Sequence, residues 1–180
     1  MRSRYSRRAL CLCSMLSFGA ALLAVPASLA AGPPQKPAKR PALRFEVSFP
    51  AAAHAEPVTG RVYVMIARTG EREPRLQIGR TGTPFFGRDV ERLAPGAAAV
   101  IDDTDLGTPV ASLRDIPAGE YVVQAMVNVY SEFRRADGHV VWMHDDQWEG
   151  QRWNVSPGNL YSAPMTVRLD PAAGGVVKLA

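Results

Sequence analysis

From residue 43 onward, apolar and polar residues alternate in short runs broken by Pro, Gly and Asp, the pattern of half-buried β-strands. Leu43, Phe45, Val47 and Phe49 alternate with Arg44, Glu46 and Ser48, so a strand is predicted from Leu43. Gly60 introduces a second, Arg61 to Ala67, with Val62, Val64 and Ile66 on one side. Shorter strands are predicted at Leu76 to Ile78 and Ala97 to Asp102, while Asp89 to Leu93 suits one helical turn stopped by Pro95-Gly96. Met165 to Leu169 and Val176 to Leu179 close the chain as strands around Pro171 to Gly175.

The clearest local signal runs from Ser112 to Tyr130. Ile116-Pro117-Ala118-Gly119 reads as a turn, with proline presetting φ and glycine taking the positive φ of a type II turn. A long strand then starts near Glu120. It carries Tyr121, Val123, Ala125, Val127 and Val129 on an apolar face expected in the core, and Val122, Gln124, Met126, Asn128 and Tyr130 on a mixed face. Leu113 before the turn and Tyr121 after it match the corner of immunoglobulin-like sandwiches, where a tyrosine hydroxyl ties a loop to a strand. A hairpin follows, with Asp137-Gly138 at its tip. A two-residue loop, favoured by Asp-Gly, sets Phe133 opposite Trp142 and turns Trp142 toward the core. A three-residue loop shifts the pairing by one and turns Trp142 to the mixed face, near Glu132 and Tyr130.

Many short strands with almost no helix make the class all-β, a two-layer antiparallel β-sandwich of immunoglobulin-like type, with a small β-barrel as the alternative. The pattern begins only after two segments of different character. Residues 1–30 read as a signal peptide: four arginines, an apolar run from Ala9 to Val25, and the small-residue site Ser28-Leu29-Ala30. An uncleaved anchor is the alternative, and Ser6-Arg7-Arg8-Ala9-Leu10 leaves the general and twin-arginine routes equally open. Residues 31–42, rich in Pro and Lys, read as a linker, and 43–180 as a single sandwich domain. The expected location is periplasmic or extracellular, with no membrane association after cleavage.

The leader changes how charge and cysteine are read. The chain carries 21 Lys and Arg against 17 Asp and Glu, net +4. Arg2, Arg4, Arg7 and Arg8 leave with the leader, so the remainder is formally neutral and nucleic acid is not an expected partner. Cys11 and Cys13 leave with it too, which removes a disulfide framework, a thiolate zinc site and a cysteine nucleophile from consideration. No cofactor is expected.

Three stretches carry candidate chemistry. Asp102-Asp103-Thr104-Asp105-Leu106-Gly107 invites a calcium reading, although the glycine is misplaced for an EF-hand and the closing glutamate is missing; an ordinary Asp/Gly turn is the plainer reading. His54, in an alanine-rich loop, reads as a solvated side chain. The most unusual composition is the acidic, aromatic stretch from His144 to Tyr161. There Trp148, Trp153 and Tyr161 with Asp145, Asp146 and Glu149 are the candidate ligand-binding residues, for a glycan or a peptide. The competing readings are a metal cluster of His144, Asp145, Asp146 and Glu149, and tryptophans that plug the end of the sandwich while the charges stay wet. No catalytic residue is assigned: Gly-x-Ser-x-Gly is absent, and Ser48, Ser112, Ser131, Ser156 and Ser162 lack a recognisable base. A hydrolase of unrecognised type using His144 with Asp145 or Asp146 is a further alternative.

Phe45-Glu46-Val47-Ser48-Phe49-Pro50, Gly60-Arg61-Val62-Tyr63-Val64, Pro84-Phe85-Phe86-Gly87, Leu113 to Tyr121, Gln147-Trp148-Glu149-Gly150 and Ser156 to Tyr161 together resemble the N-terminal non-catalytic domain of large secreted bacterial esterase-like proteins. In that family a sandwich domain precedes an α/β-hydrolase domain similar to enterochelin esterases. The linker to the hydrolase would begin about where Ala180 stands, so no catalytic residue carries over. The resemblance implies an accessory or binding domain acting alone or beside a separately encoded α/β-hydrolase.

Overall fold

The computed structural model describes residues 42–148, 150 and 152–180. The expected leader, all but the last residue of the expected linker, and Glu149 lie outside them. In chain order the strands are β1 (Leu43–Val47), β2 (Val58–Ala67), β3 (Phe85–Leu93), β4 (Ala99–Ile101), β5 (Gly107–Thr108), β6 (Gly119–Val129), β7 (Ser131–Arg134), β8 (Val140–Met143), β9 (Leu160–Tyr161), β10 (Met165–Leu169) and β11 (Gly175–Leu179). The large sheet has the order β10-β6-β2-β3-β5, with β9 also on β6; the small sheet has the order β11-β1-β4; β7 and β8 form a separate ribbon. Neither sheet closes on itself, so the fold is an all-β sandwich and not a barrel.

The alternation read from the sequence selects the core. Leu43, Phe45 and Val47 of β1 join Ile101 of β4 and Leu179 of β11 in one buried cluster with Val62, Val64 and Ile66 of β2, Phe86 of β3, Tyr121, Val123, Ala125 and Val127 of β6, and Leu169 of β10. Each fully buried aliphatic or aromatic side chain contributes about 1.5–3 kcal/mol by leaving water. Val129, expected in that set, is only half-buried at the end of β6.

Several local expectations give way to pairing. Asp89 to Leu93 continues β3 and does not form a helical turn, because Asp89 and Val90 pair with Arg61 and Gly60 of β2, and Asp89 takes an ion pair from Arg61 at 2.8 Å. Leu76 to Ile78 is not a strand; Pro74–Leu76 is a 3₁₀ turn whose proline occupies the first position, where a missing N–H costs nothing. One pair is parallel: β11 runs alongside β1, because the chain leaves the large sheet after β10 and crosses to the small one through a turn capped by Asp170.

The segment before β6 holds the tyrosine corner. Ser112 Oγ accepts from Arg114 N at 3.3 Å and caps a 3₁₀ turn over Leu113–Asp115, with Leu113 buried. This turn makes the reversal. Gly119 does not adopt the positive φ of the predicted type II turn and already pairs with Leu169 as the first residue of β6. The Tyr121 hydroxyl donates to Pro117 O at 2.6 Å, and the Arg68 guanidinium lies 4.5 Å over its ring. Tyr121→Phe keeps the ring and the cation contact and removes only the hydroxyl. Urea denaturation is expected to show a loss of about 1 kcal/mol; no loss would mean that the corner bond contributes nothing.

The hairpin adopts the three-residue register. Glu132 pairs with Trp142 and Phe133 with Val141, while Arg135 O accepts from Gly138 N and Gly138 takes φ +85°. A turn followed by a left-handed glycine is the usual three-residue solution, and it displaces the two-residue loop expected from Asp-Gly. Trp142 is therefore not in the core: it is 48% exposed, on a ribbon that pairs with neither sheet.

Candidate functional site

The mixed face of β6 organises the site. Gln124, Met126 and Asn128 are all buried although they point away from the sandwich core, because two loop segments lie over that face of the large sheet. Buried amides need partners, and these two find them in the covering loops. Gln124 Nε2 donates to Glu73 Oε2 at 3.0 Å and to Ser162 O at 2.9 Å, while its Oε1 accepts from Arg75 N at 3.1 Å. Asn128 Nδ2 donates to Asn159 Oδ1 at 2.9 Å and lies 3.2 Å from His144 Nδ1. Asn159 Nδ2 in turn donates to Trp153 O at 2.6 Å.

Arg75 ties the two loops to each other. Its Nε contacts Glu73 Oε2 at 2.7 Å, its Nη1 donates to Asn154 O at 3.1 Å, and Asn154 Nδ2 returns a bond to Arg75 O at 2.8 Å. The same guanidinium sits 4.1 Å over the Tyr161 ring. Ser162 finishes the seam where β9 gives way to β10. Pro164 follows there, and Ser162 Oγ accepts from Ala125 N at 3.1 Å, a bond that satisfies a β6 donor. Among the described residues no buried side-chain polar atom is left without a partner.

These bonds shift one titration. Glu73 is held below the usual carboxylate range by the hydrogen bond from Gln124 and then by that from Arg75. A depressed carboxylate contributes stability that is present above its unfolded pKa and is lost as pH falls through the folded one. The melting temperature of the native protein should therefore exceed that of Glu73→Gln near neutrality, and the gap should close on the acid side of the ordinary carboxylate range. Glu73 is 38% exposed, so screening keeps the gap small and low salt shows it best. A gap that widens on acidification would contradict this assignment.

Beside the polar network lies an aromatic one. The Trp153 ring stacks on Tyr63 of β2, with centroids 4.4 Å apart and planes at 28°, and meets Phe85 of β3 at 5.8 Å. Burial pushes the Tyr63 phenol up to about 12, so at physiological pH it is a neutral wall. The Tyr63 ring can lie across β3 because Gly87 stands opposite it; a Cβ there would stand 2.8 Å from the ring.

The residues singled out from the sequence are spread over separate recesses. Trp148 is wholly exposed with φ +74°, its N–H donating to Asp146 Oδ1 at 2.9 Å, and with Asp146 and Gly150 it lines a shallow recess of about 290 Å³. Asp145 is half-buried next to it. Trp153 borders a cleft of about 380 Å³ together with Phe85, Arg80 and Arg152. Tyr161, 56% exposed, borders a third of about 280 Å³ with Phe49, Met126 and Asn159. Trp153 thus covers the outer face of the large sheet and does not plug the end of the sandwich, while Trp148 covers nothing.

The other candidate chemistry is used structurally. Asp105 receives Arg88 through both carboxylate oxygens at 2.8 Å, Asp103 pairs with Arg114, and Asp102 accepts from Thr104, so the acidic stretch is a turn braced by arginines. Among the described residues no three His, Cys, Asp or Glu side chains converge as a metal site would require. His54 sits half-buried, edge-on to Phe49, with Nδ1 2.8 Å from Glu56 O. The Ser112 and Ser162 hydroxyls are engaged with backbone groups.

Sequence reasoning missed Arg75, Glu73, Tyr63 and Phe85 as parts of this region. The one available signal was the pair of amides, Gln124 and Asn128, on an otherwise apolar strand. Compared with models of protein families, with curated proteins and with solved structures, the chain matches none.

Proposed function

We propose that the chain is an exported, non-catalytic binding domain, of the kind the resemblance to esterase-associated N-terminal domains implies, and that it presents the 144–161 segment to a glycan or a peptide. The observation that carries this reading is Trp148. A wholly exposed indole in the left-handed region costs hydrophobic burial and roughly 1–3 kcal/mol of backbone strain, and such costs gather at ligand sites. The segment that bears it is tied to β6 on either side of Trp148, at His144, Trp153 and Asn159, through Asn128.

The test is a glycan and peptide panel read by tryptophan fluorescence, with Trp148→Ala as the control. Binding that quenches the native protein and not the variant supports the proposal; folded protein that answers no probe overturns it. Turnover of short-chain nitrophenyl esters by purified protein would overturn the non-catalytic half.

A second reading, docking on a separately encoded α/β-hydrolase, draws on the ribbon. Val140 and Trp142 are exposed on one face of the β7–β8 ribbon and Phe133 and Met143 on the other, more apolar surface than a free ribbon needs. Affinity capture from the exported fraction should recover a hydrolase with the native protein and not with Trp142→Ser; capture without any hydrolase ends this reading.

A further inference from the structure

Building on that binding-domain reading, we infer that the cleft beside Trp153 is a subsite for an acidic sugar, a pyranose ring bearing a carboxylate. The cleft measures about 380 Å³, within the range of about 300–1,000 Å³ typical of small-ligand sites. Its apolar wall is Trp153, Phe85 and Ile78. Trp153 is braced from behind by Tyr63, so the indole is rigid, and a flat, rigid aromatic surface suits the C–H face of a sugar ring.

The rim decides the charge. Arg80 and Arg152 both border the cleft, both are exposed, and no Asp or Glu is among the described lining residues. Seven arginines of the domain, Arg44, Arg61, Arg75, Arg88, Arg114, Arg134 and Arg135, each have a carboxylate partner, whereas Arg68, Arg72, Arg92 and Arg168 have none among the described residues and do not line the cleft. Arg80 and Arg152 have no ion-pair partner among the described residues. Two guanidinium forks without a carboxylate partner on one apolar cleft, in a domain whose residues 43–180 carry 14 Lys and Arg against 17 Asp and Glu, are complementary to a planar carboxylate that can accept two parallel N–H bonds. The exposed Thr108 hydroxyl and the Asn154 amide oxygen, whose amide nitrogen is already committed to Arg75, add hydrogen-bonding groups for ring hydroxyls.

Calorimetric titration of the purified protein with tetragalacturonate, cellotetraose and benzoate tests this. Tetragalacturonate is expected to bind at least about tenfold more tightly than cellotetraose, with the preference fading as salt rises. Arg80→Gln and Arg152→Gln should each weaken tetragalacturonate about five- to tenfold, because each removes one charge-assisted contact. Arg168→Gln, which removes an exposed cation on β10 away from the cleft, should leave binding unchanged and so controls for net charge. Equal binding of the neutral tetramer, equal binding of benzoate, or indifference to both cleft arginines would each overturn the inference. Glycan binding that survives Arg80→Gln/Arg152→Gln and vanishes in Trp148→Ala would overturn the subsite and leave the broader binding reading standing. No response to these probes or to the wider panel would end both.

Discussion

Phe45→Ala is expected to remove about 3–5 kcal/mol of stability and to lower the melting temperature by roughly 10–15 °C. Phe45 is wholly buried in the middle strand of the small sheet, paired with Val177 on one side and Ile101 on the other. The small sheet has three strands of three to five residues, so few backbone bonds hold it and side-chain burial must do the rest. Truncating the ring removes its transfer energy and leaves a cavity that the short strands cannot close without losing register. Phe45→Leu keeps most of the volume and should cost less than about 1.5 kcal/mol. Thermal and urea unfolding of the two variants checks the pair, and an alanine variant as stable as the leucine one would place Phe45 outside the core. Domains of this kind have about 5–15 kcal/mol in total, so the alanine variant should also show reduced yield of folded protein.

Gln124→Leu is the second large effect, about 2–4 kcal/mol. The amide serves Glu73, Ser162 and Arg75 at once, and a leucine of similar size leaves the Arg75 N–H and the Ser162 carbonyl facing an apolar group. Stranded buried groups cost more than the bonds themselves were worth. The loss should be largely shared with that of Glu73→Gln, since both act on one network, and a double-mutant cycle should return a coupling of about 0.5 kcal/mol or more. Strict additivity would mean that Glu73 and Gln124 act separately. Acrylamide quenching of Trp153 should also rise in Gln124→Leu, because the network that holds Asn154 through Arg75 is the one that holds the neighbouring ring.

These two positions also separate what the local pattern specifies from what it leaves open. Phe45 lies in a run of strict alternation, and period two is a property of the backbone; whichever partner the strand found, its apolar side had to be covered. The same holds for Tyr121, Val123, Ala125 and Val127, and the corner bond from Tyr121 to Pro117 needs only four residues of chain. Gln124 and Asn128 were legible as polar residues on a mixed face, but their partners come from segments about 30 to 50 residues distant, and nothing in a short window names them.

The candidate site shows the same division. The aromatic and acidic composition of 144–161 was visible, while its dispersal into separate recesses was not, because which side of a loop faces the sheet depends on Asn128, Asn159 and Arg75 bonds that exist only after β6 has paired. Trp142 turned on one residue of hairpin register, a difference that local turn preference could not settle. The sequence by itself therefore determined the all-β class, the apolar side of each long strand, the tyrosine corner and the location of the unusual loop, because these follow from short-range periodicity and turn chemistry. Tertiary structure alone decided the parallel β1–β11 pair, the extension of β3, the burial of both faces of β6 and the two arginines beside Trp153, because each depends on contacts between segments far apart in the chain.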